Sequence, residues 1–214
     1  AYRKAEMTDS AKAVAERLLR DARTDGERGH AHFALARVLF DLHNYDGVQD
    51  NARQAILLAR AAGDTAAWIR GAEILCEVDM GLDRFTAVKE RDGPILALAM
   101  ATNDSVALSN VYNNLANIHY LHHDLDSAHW YYDKAIAIMP VRKKNDRLVI
   151  QLNQVNIFIE EERYDLALAR SDAIRSGVQA GGALLRAHYY NQRGYAFYSM
   201  GRYRDAIAEF GRSD

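Results

Sequence analysis

The stretch YNNLANIHYLHHDLDSAHWYYDKAIAIMP, Tyr112–Pro140, decides how the chain folds. Its apolar residues recur three and four apart, the period of a helix face. They do so in two runs divided by the polar His122-His123-Asp124. Ala116 lies in the first run and Ala128 in the second, small enough for two helices to approach closely.

The same arrangement recurs outward from this stretch. Second helices open at Tyr45, Phe85, Leu125, Tyr164 and Tyr203, spaced 40, 40, 39 and 39 residues apart. Three residues after each opener stand Val48, Val88, Ala128, Ala167 and Ala206. Nine residues before it stand Ala36, Cys76, Ala116, Val155 and Gly194. Small residues at fixed phases of a fixed period mark a solenoid of stacked units. The units are helical: alanine, the best helix former, is abundant, and no succession of alternating strands occurs.

Composition narrows the function. Of 214 residues, 49% are hydrophobic, enough for a folded chain. Lys+Arg number 27 against 29 Asp+Glu, a net charge of −2 that gives no reason to expect direct nucleic-acid contact. One cysteine rules out an intramolecular disulfide and a Cys-rich zinc site. The longest apolar run, Ile95–Ala101, falls far short of the roughly 20 residues that a transmembrane helix requires. The chain starts at Ala1 without methionine and stops inside an apparent helix, so an excised domain is expected. A cytoplasmic setting is the expectation and a periplasmic one the alternative.

Tyr112, the pair Leu115-Ala116, Ala128, Tyr132, Ala135 and Pro140 resemble the pattern of the tetratricopeptide repeat (TPR) family. The fifth unit, YYNQRGYAFYSMGRYRDAIAEF, is similar, and the first matches moderately. The fourth keeps only its second half, ERYDLALARSDAI. The second departs most, with Asp79 where Leu39 and His119 stand in its neighbours. The resemblance covers about residues 30 to 212, with a longer period than the family's usual ~34. That long form resembles repeats of bacterial regulatory and signalling proteins. The resemblance implies an all-α, right-handed alpha-alpha superhelix, a TPR-like solenoid of helical hairpins. Residues 1–29 are then an N-terminal helix packing on the first repeat. Five units follow, at about 30–64, 65–103, 104–144, 145–182 and 183–214, the last truncated.

Punctuation places the joints. Thr8 or Asp9 is the expected cap of the opening helix, with Val14 and Leu18 covering the edge of the first unit. Gly63-Asp64 and Asn103-Asp104 are stop-and-restart signals. Gly93-Pro94 is expected to split or kink its helix, and Ser176–Gly182 to form a looser joint. Ile207 and Phe210 should be partly exposed.

By the same resemblance, the first helices line a concave groove, with groove positions beside each Leu-small pair. One register gives Arg37, Glu77, Asn117, Asn156 and Tyr195. A second gives Ala34, Ile74, Asn114, Asn153 and Gln192. The third gives Phe33, Glu73, Asn113, Leu152 and Asn191. A side-chain amide both donates and accepts, so it suits the backbone of an extended peptide whatever its sequence. Helices roughly 10 Å apart match about three residues of extended chain. Asn117 and Asn156 are therefore expected to bond one peptide backbone while contributing little to folding. Tyr120, Tyr195 and Tyr198 are candidate walls or core residues. A solvated polar face is the competing reading of the asparagines. Toward the N-terminus, Arg37 beside Glu77 suits a charged ligand side chain or an internal ion pair.

No catalytic constellation stands out. His119, His122, His123 and His129 cluster without the HExxH pattern, and Cys76 occupies a packing phase. Neither cofactor nor metal is expected, and no enzymatic activity. The expected function is binding of a peptide or protein segment in the groove. The module would be the sensory or partner-binding part of a larger bacterial regulatory protein with a downstream output domain. The competing expectation is a structural scaffold, a homodimer through the C-terminal repeat with no groove ligand.

Overall fold

The computed structural model describes residues 2–213, with side chains from Ser10 onward. Those residues form eleven helices and no strand. The opening helix is α1 (Tyr2–Asp21), and the rest pack as consecutive hairpins: α2 (Asp25–Asp41) with α3 (Tyr45–Ala62), and α4 (Thr65–Gly81) with α5 (Phe85–Ala101). Then come α6 (Ser105–Leu121) with α7 (Leu125–Ile138), α8 (Lys144–Glu160) with α9 (Tyr164–Gln179), and α10 (Ala183–Ser199) with α11 (Tyr203–Phe210). The chain forms two compact units, residues 1–107 and 108–214.

The repeat phases do the packing expected of them. Ala36, Val48, Val88, Ala116, Ala128 and Ala167 are fully buried. Ala116 and Ala128 share one core cluster of unit 2 with Tyr132, Ala135 and Ile157. In the last hairpin the small residue is Gly194, and a Cβ there would meet the Phe210 ring at 2.4 Å. Phe210 is accordingly half-buried, while Ile207 is 72% exposed.

Five local expectations need correction. Helix α1 begins at Tyr2, ahead of Thr8 and Asp9, whose side chains lie outside the described residues. It packs through Ala15 and Leu19, leaving Val14 and Leu18 exposed. Both pairs are apolar and four apart, so helical spacing alone could not choose between them. Helix α2 starts at Asp25, earlier than residue 30, because Thr24 and Glu27 form a reciprocal capping box. Gly26 and Gly29 masked that start by lowering local helix propensity.

Helix α5 runs unbroken through Pro94. Pro94 and Glu90 are both exposed, so water can take the Glu90 carbonyl that loses its N–H donor. Finally, Ser176–Gly182 is mostly helix, since α9 continues to Gln179. Gly177 is buried, and a Cβ there would meet Leu148 at 3.1 Å. It is a packing glycine, which composition alone made look like a linker.

Candidate functional site

The amides of unit 2 come from three neighbouring first helices, α6, α8 and α10, and they are not equivalent. Asn153 Nδ2 donates to Asn113 Oδ1 at 3.2 Å, a rung between residues of the same helical face. Tyr132, buried in the core, donates its hydroxyl proton to Asn117 Oδ1. Burial, then the nearby Tyr120, raises the Tyr132 phenol above its ordinary value. Asn117 therefore satisfies a core group, unlike the idle amide expected of it. Asn114 is half-buried and Asn191 is exposed.

The remaining candidates converge. Tyr120, Asn156, Gln192 and Tyr195 line one cavity of about 470 Å³ within unit 2. Ile159, Glu160, Glu162, Tyr164 and Ser199 complete its wall. Gln192 is only 8% exposed. Its Nε2 lies 3.1 Å from His188 Nε2, and its Oε1 has no hydrogen-bond partner among the described residues. Burial holds the His188 imidazole below its ordinary pKa, so the ring stays neutral and its Nε2 can accept from the amide. Tyr195 stands 58% exposed at the rim, its ring edge-on to Phe210. Burial raises the Tyr120 phenol, with the Glu160 carboxylate adding to the effect.

Five wall residues escaped the sequence reading, although a signal for some existed. Tyr120, Glu160 and Ser199 are separated by 40 and 39 residues, the repeat period itself. They form a further register, seven residues beyond Asn113, Asn153 and Gln192. Glu162 reaches the wall from a left-handed turn, with φ of 59°. Period alone does not reveal such a position.

In unit 1, Arg37 Nη1 donates to Glu77 Oε2 at 2.8 Å. These two candidates thus bond each other across the first two hairpins. The histidines have local partners as well. His119 Nδ1 is 2.9 Å from Asp124 Oδ2, and its ring stacks on Tyr131. Hydrogen bonds from Ser127, followed by that from His119, hold the Asp124 carboxyl below its usual range. His129 Nε2 lies 3.4 Å from a Glu161 oxygen, a contact without hydrogen-bond alignment. Cys76 is buried, and burial followed by the Asp92 charge pushes its thiol up to about 12.

No family model and no curated protein matches the chain. Solved structures do match along nearly its whole length. A Rap protein complexed with competence and sporulation factor superimposes with a TM-score of 0.76 at 14% identity. That match covers 98% of this chain and 70% of the Rap protein. Aspartyl phosphate phosphatase F from Bacillus subtilis gives a TM-score of 0.70 at 16% identity, over 96% of this chain. This chain spans 53% of that protein's length. BtubC (BKLC) from P. vanneervenii gives 0.68 at 17% identity, covering 99% of this chain and 89% of its own. The fold is a TPR-like helical repeat. At these identities the likeness extends to fold alone.

Proposed function

We propose that unit 2 is a protein-binding module that takes an extended peptide or protein segment along α6, α8 and α10. The observation that carries this is Gln192, buried in the cavity wall with an unmet acceptor. A buried amide oxygen left unpaired costs about 1–3 kcal/mol, which a folded chain tolerates where a ligand supplies the donor. Asn156 beside it adds a second amide to the same cavity. The Asn113–Asn153 bond supports the reading, because it brings side chains of two successive first helices within 3.2 Å of each other. The module holds its ligand without transforming it and serves a larger regulatory protein. That the similar Rap structure is complexed with competence and sporulation factor supports a binding role on this fold.

Selection of random dodecapeptides on the intact chain tests the reading. Enriched peptides should bind roughly tenfold more weakly to Gln192→Met or Asn156→Ala. The thermal midpoint of Asn156→Ala should stay near wild type, and that of Gln192→Met should move little because loss of the bond to His188 is offset by removal of the unpaired acceptor. If enrichment is indifferent to both residues, the groove reading fails. The rival is self-association through the last hairpin, where Tyr203 and Ile207 are exposed. A dimer in sedimentation that dissociates on Ile207→Arg, with no peptide selected, would establish it instead.

A further inference from the structure

The cavity wall of unit 2 carries an electrostatic demand of one sign. Glu160 and Glu162 both line it, and neither has an ion pair among the described residues. Glu161, between them in sequence, contacts His129 at 3.4 Å and Arg163 at 3.0 Å. The two cavity carboxylates thus have no ion-pair partner among the described residues, while three arginines of the unit are bonded to other carboxylates. Arg175 bonds Asp172, Arg193 bonds Asp172 and Glu209, and Arg202 bonds Asp205. The lining contains no lysine, arginine or histidine.

We infer that this cavity receives an organic cation bearing N–H donors, a guanidinium or primary ammonium, between Glu160 and Gln192. Four properties converge on that chemistry. The carboxylates attract positive charge and repel an anion. Gln192 gives one amide N–H to His188, and its Oε1 is an acceptor with no hydrogen-bond partner among the described residues. Tyr120, Tyr164 and Tyr195 bring aromatic rings to the wall, and a cation over a ring face is attracted by its quadrupole. At about 470 Å³ the space suits an organic group and is far larger than a bare metal ion needs. A guanidinium meets these together: one edge can pair with a carboxylate, its plane can lie on tyrosine, and another N–H reaches the amide oxygen once the Gln192 side chain, closed to water in the free chain, turns toward the cavity.

This deepens the reading of unit 2 as a groove, and it rests on that reading only for the source of the cation. A basic residue of a bound segment is one source, and a free small amine is the other. The test is titration of the intact chain with three probes, followed by calorimetry and by the Gln192 side-chain amide resonances. The first probe is the capped peptide acetyl-Gly-Ser-Gly-Arg-Gly-Ser-Gly-amide. The second is the same peptide with citrulline for arginine, which keeps the shape and removes the charge. Agmatine is the third.

The arginine peptide should bind at least roughly tenfold more tightly than the citrulline peptide and should shift the Gln192 amide. Glu160→Gln should abolish that preference while leaving the thermal midpoint in place. Glu161→Gln, which changes the same charge outside the cavity, should retain it. Equal binding of the two peptides overturns the cation site and leaves the groove standing. Agmatine binding as tightly as the arginine peptide keeps the cation site and overturns the groove. Equal losses in Glu160→Gln and Glu161→Gln would reduce the preference to general charge and overturn the site, as would no binding of any probe at millimolar concentration.

Discussion

Units 1 and 2 build the same hairpins at the same period, yet they dispose of their polar groups in opposite ways. In one register of first-helix positions, unit 1 holds Arg37 and Glu77, and these bond each other. The equivalent positions of unit 2 hold Asn117, Asn156 and Tyr195. Asn117 is engaged by the core, whereas Asn156 and Tyr195 line the cavity. Arginines also line a cavity of unit 1, but Arg60 stacks on Trp68 at 4.5 Å and Arg91 is bonded to Asp79. At these positions unit 1 pairs its arginines within itself, whereas in unit 2 two cavity carboxylates and a buried amide oxygen have no such partner among the described residues. Repeat geometry therefore fixes where a first-helix residue stands, and the choice of its neighbours decides whether its polar atoms are already taken.

The largest expected effect comes from opening a closed pair in unit 1. Asp79 is buried and holds Arg91, with Arg84 3.7 Å away. Asp79→Ala would strand Arg91 and should cost about 3 kcal/mol, the low end for a buried pair because Arg91 is partly open to water. Urea denaturation measures it, and an unchanged midpoint would mean that the closure in unit 1 is incidental.

Next in size is overpacking in unit 2. Ala116→Leu should cost about 1–3 kcal/mol, because Ala116 and Ala128 are sealed in one cluster. Asn117→Ala should fall at the low end of a similar range, about 1 kcal/mol, by leaving the Tyr132 hydroxyl unpaired. Asn156→Ala, at the same repeat phase but facing the cavity, should leave the midpoint near wild type. Equal losses in these two asparagine variants would erase the distinction drawn within the register.

A smaller effect is expected at the exposed pair. Double-mutant cycles on Arg37 and Glu77 should give a coupling below about 1 kcal/mol, since both side chains are substantially open to solvent. The smallest is a pH slope. Burial depresses the folded-state pKa of His188, so below about pH 6.5 the unfolded chain binds a proton that the folded chain refuses. Stability from this group is complete at neutral pH and declines with acid. Between about pH 7.5 and 5.5 the thermal midpoint should fall further for wild type than for His188→Gln. Parallel curves would place His188 in a freely solvated setting.

The fold was legible because packing and sequence share one period. Small residues at Ala36, Ala116 and Ala128 must recur wherever helices close on each other, and they are buried as their phases require. Side-chain partners are less regular. Asp79 reads as a flaw in the second repeat until Arg91, twelve residues later on the facing helix, is seen to neutralise it. Likewise the amides of Asn117 and Asn156 look identical in sequence. Only Tyr132, from the partner helix of the same hairpin, separates a structural role from an open one. Gln192 was legible as a polar first-helix residue, but its unpaired oxygen depends on His188 and on burial.

The turns between helices carry a consequence of another kind. His43, Gly63, Asp83, Asn103, His123, Glu162 and Gly201 all adopt a left-handed backbone. After each, the next N–H returns to the same carbonyl of the preceding helix, as Asn44 does to Leu39 and Arg163 to Phe158. Five of these seven are not glycine, although the conformation costs an ordinary residue about 1 kcal/mol or more. The joint is thus specified by main-chain bonds and tolerates histidine, aspartate, asparagine or glutamate at its centre. A coding segment copied from one such joint to a later one would arrive with matching ends. Such a chain can lengthen by duplication of whole hairpins, and its newly copied first-helix positions can then diverge, some closing on each other and some staying unpaired.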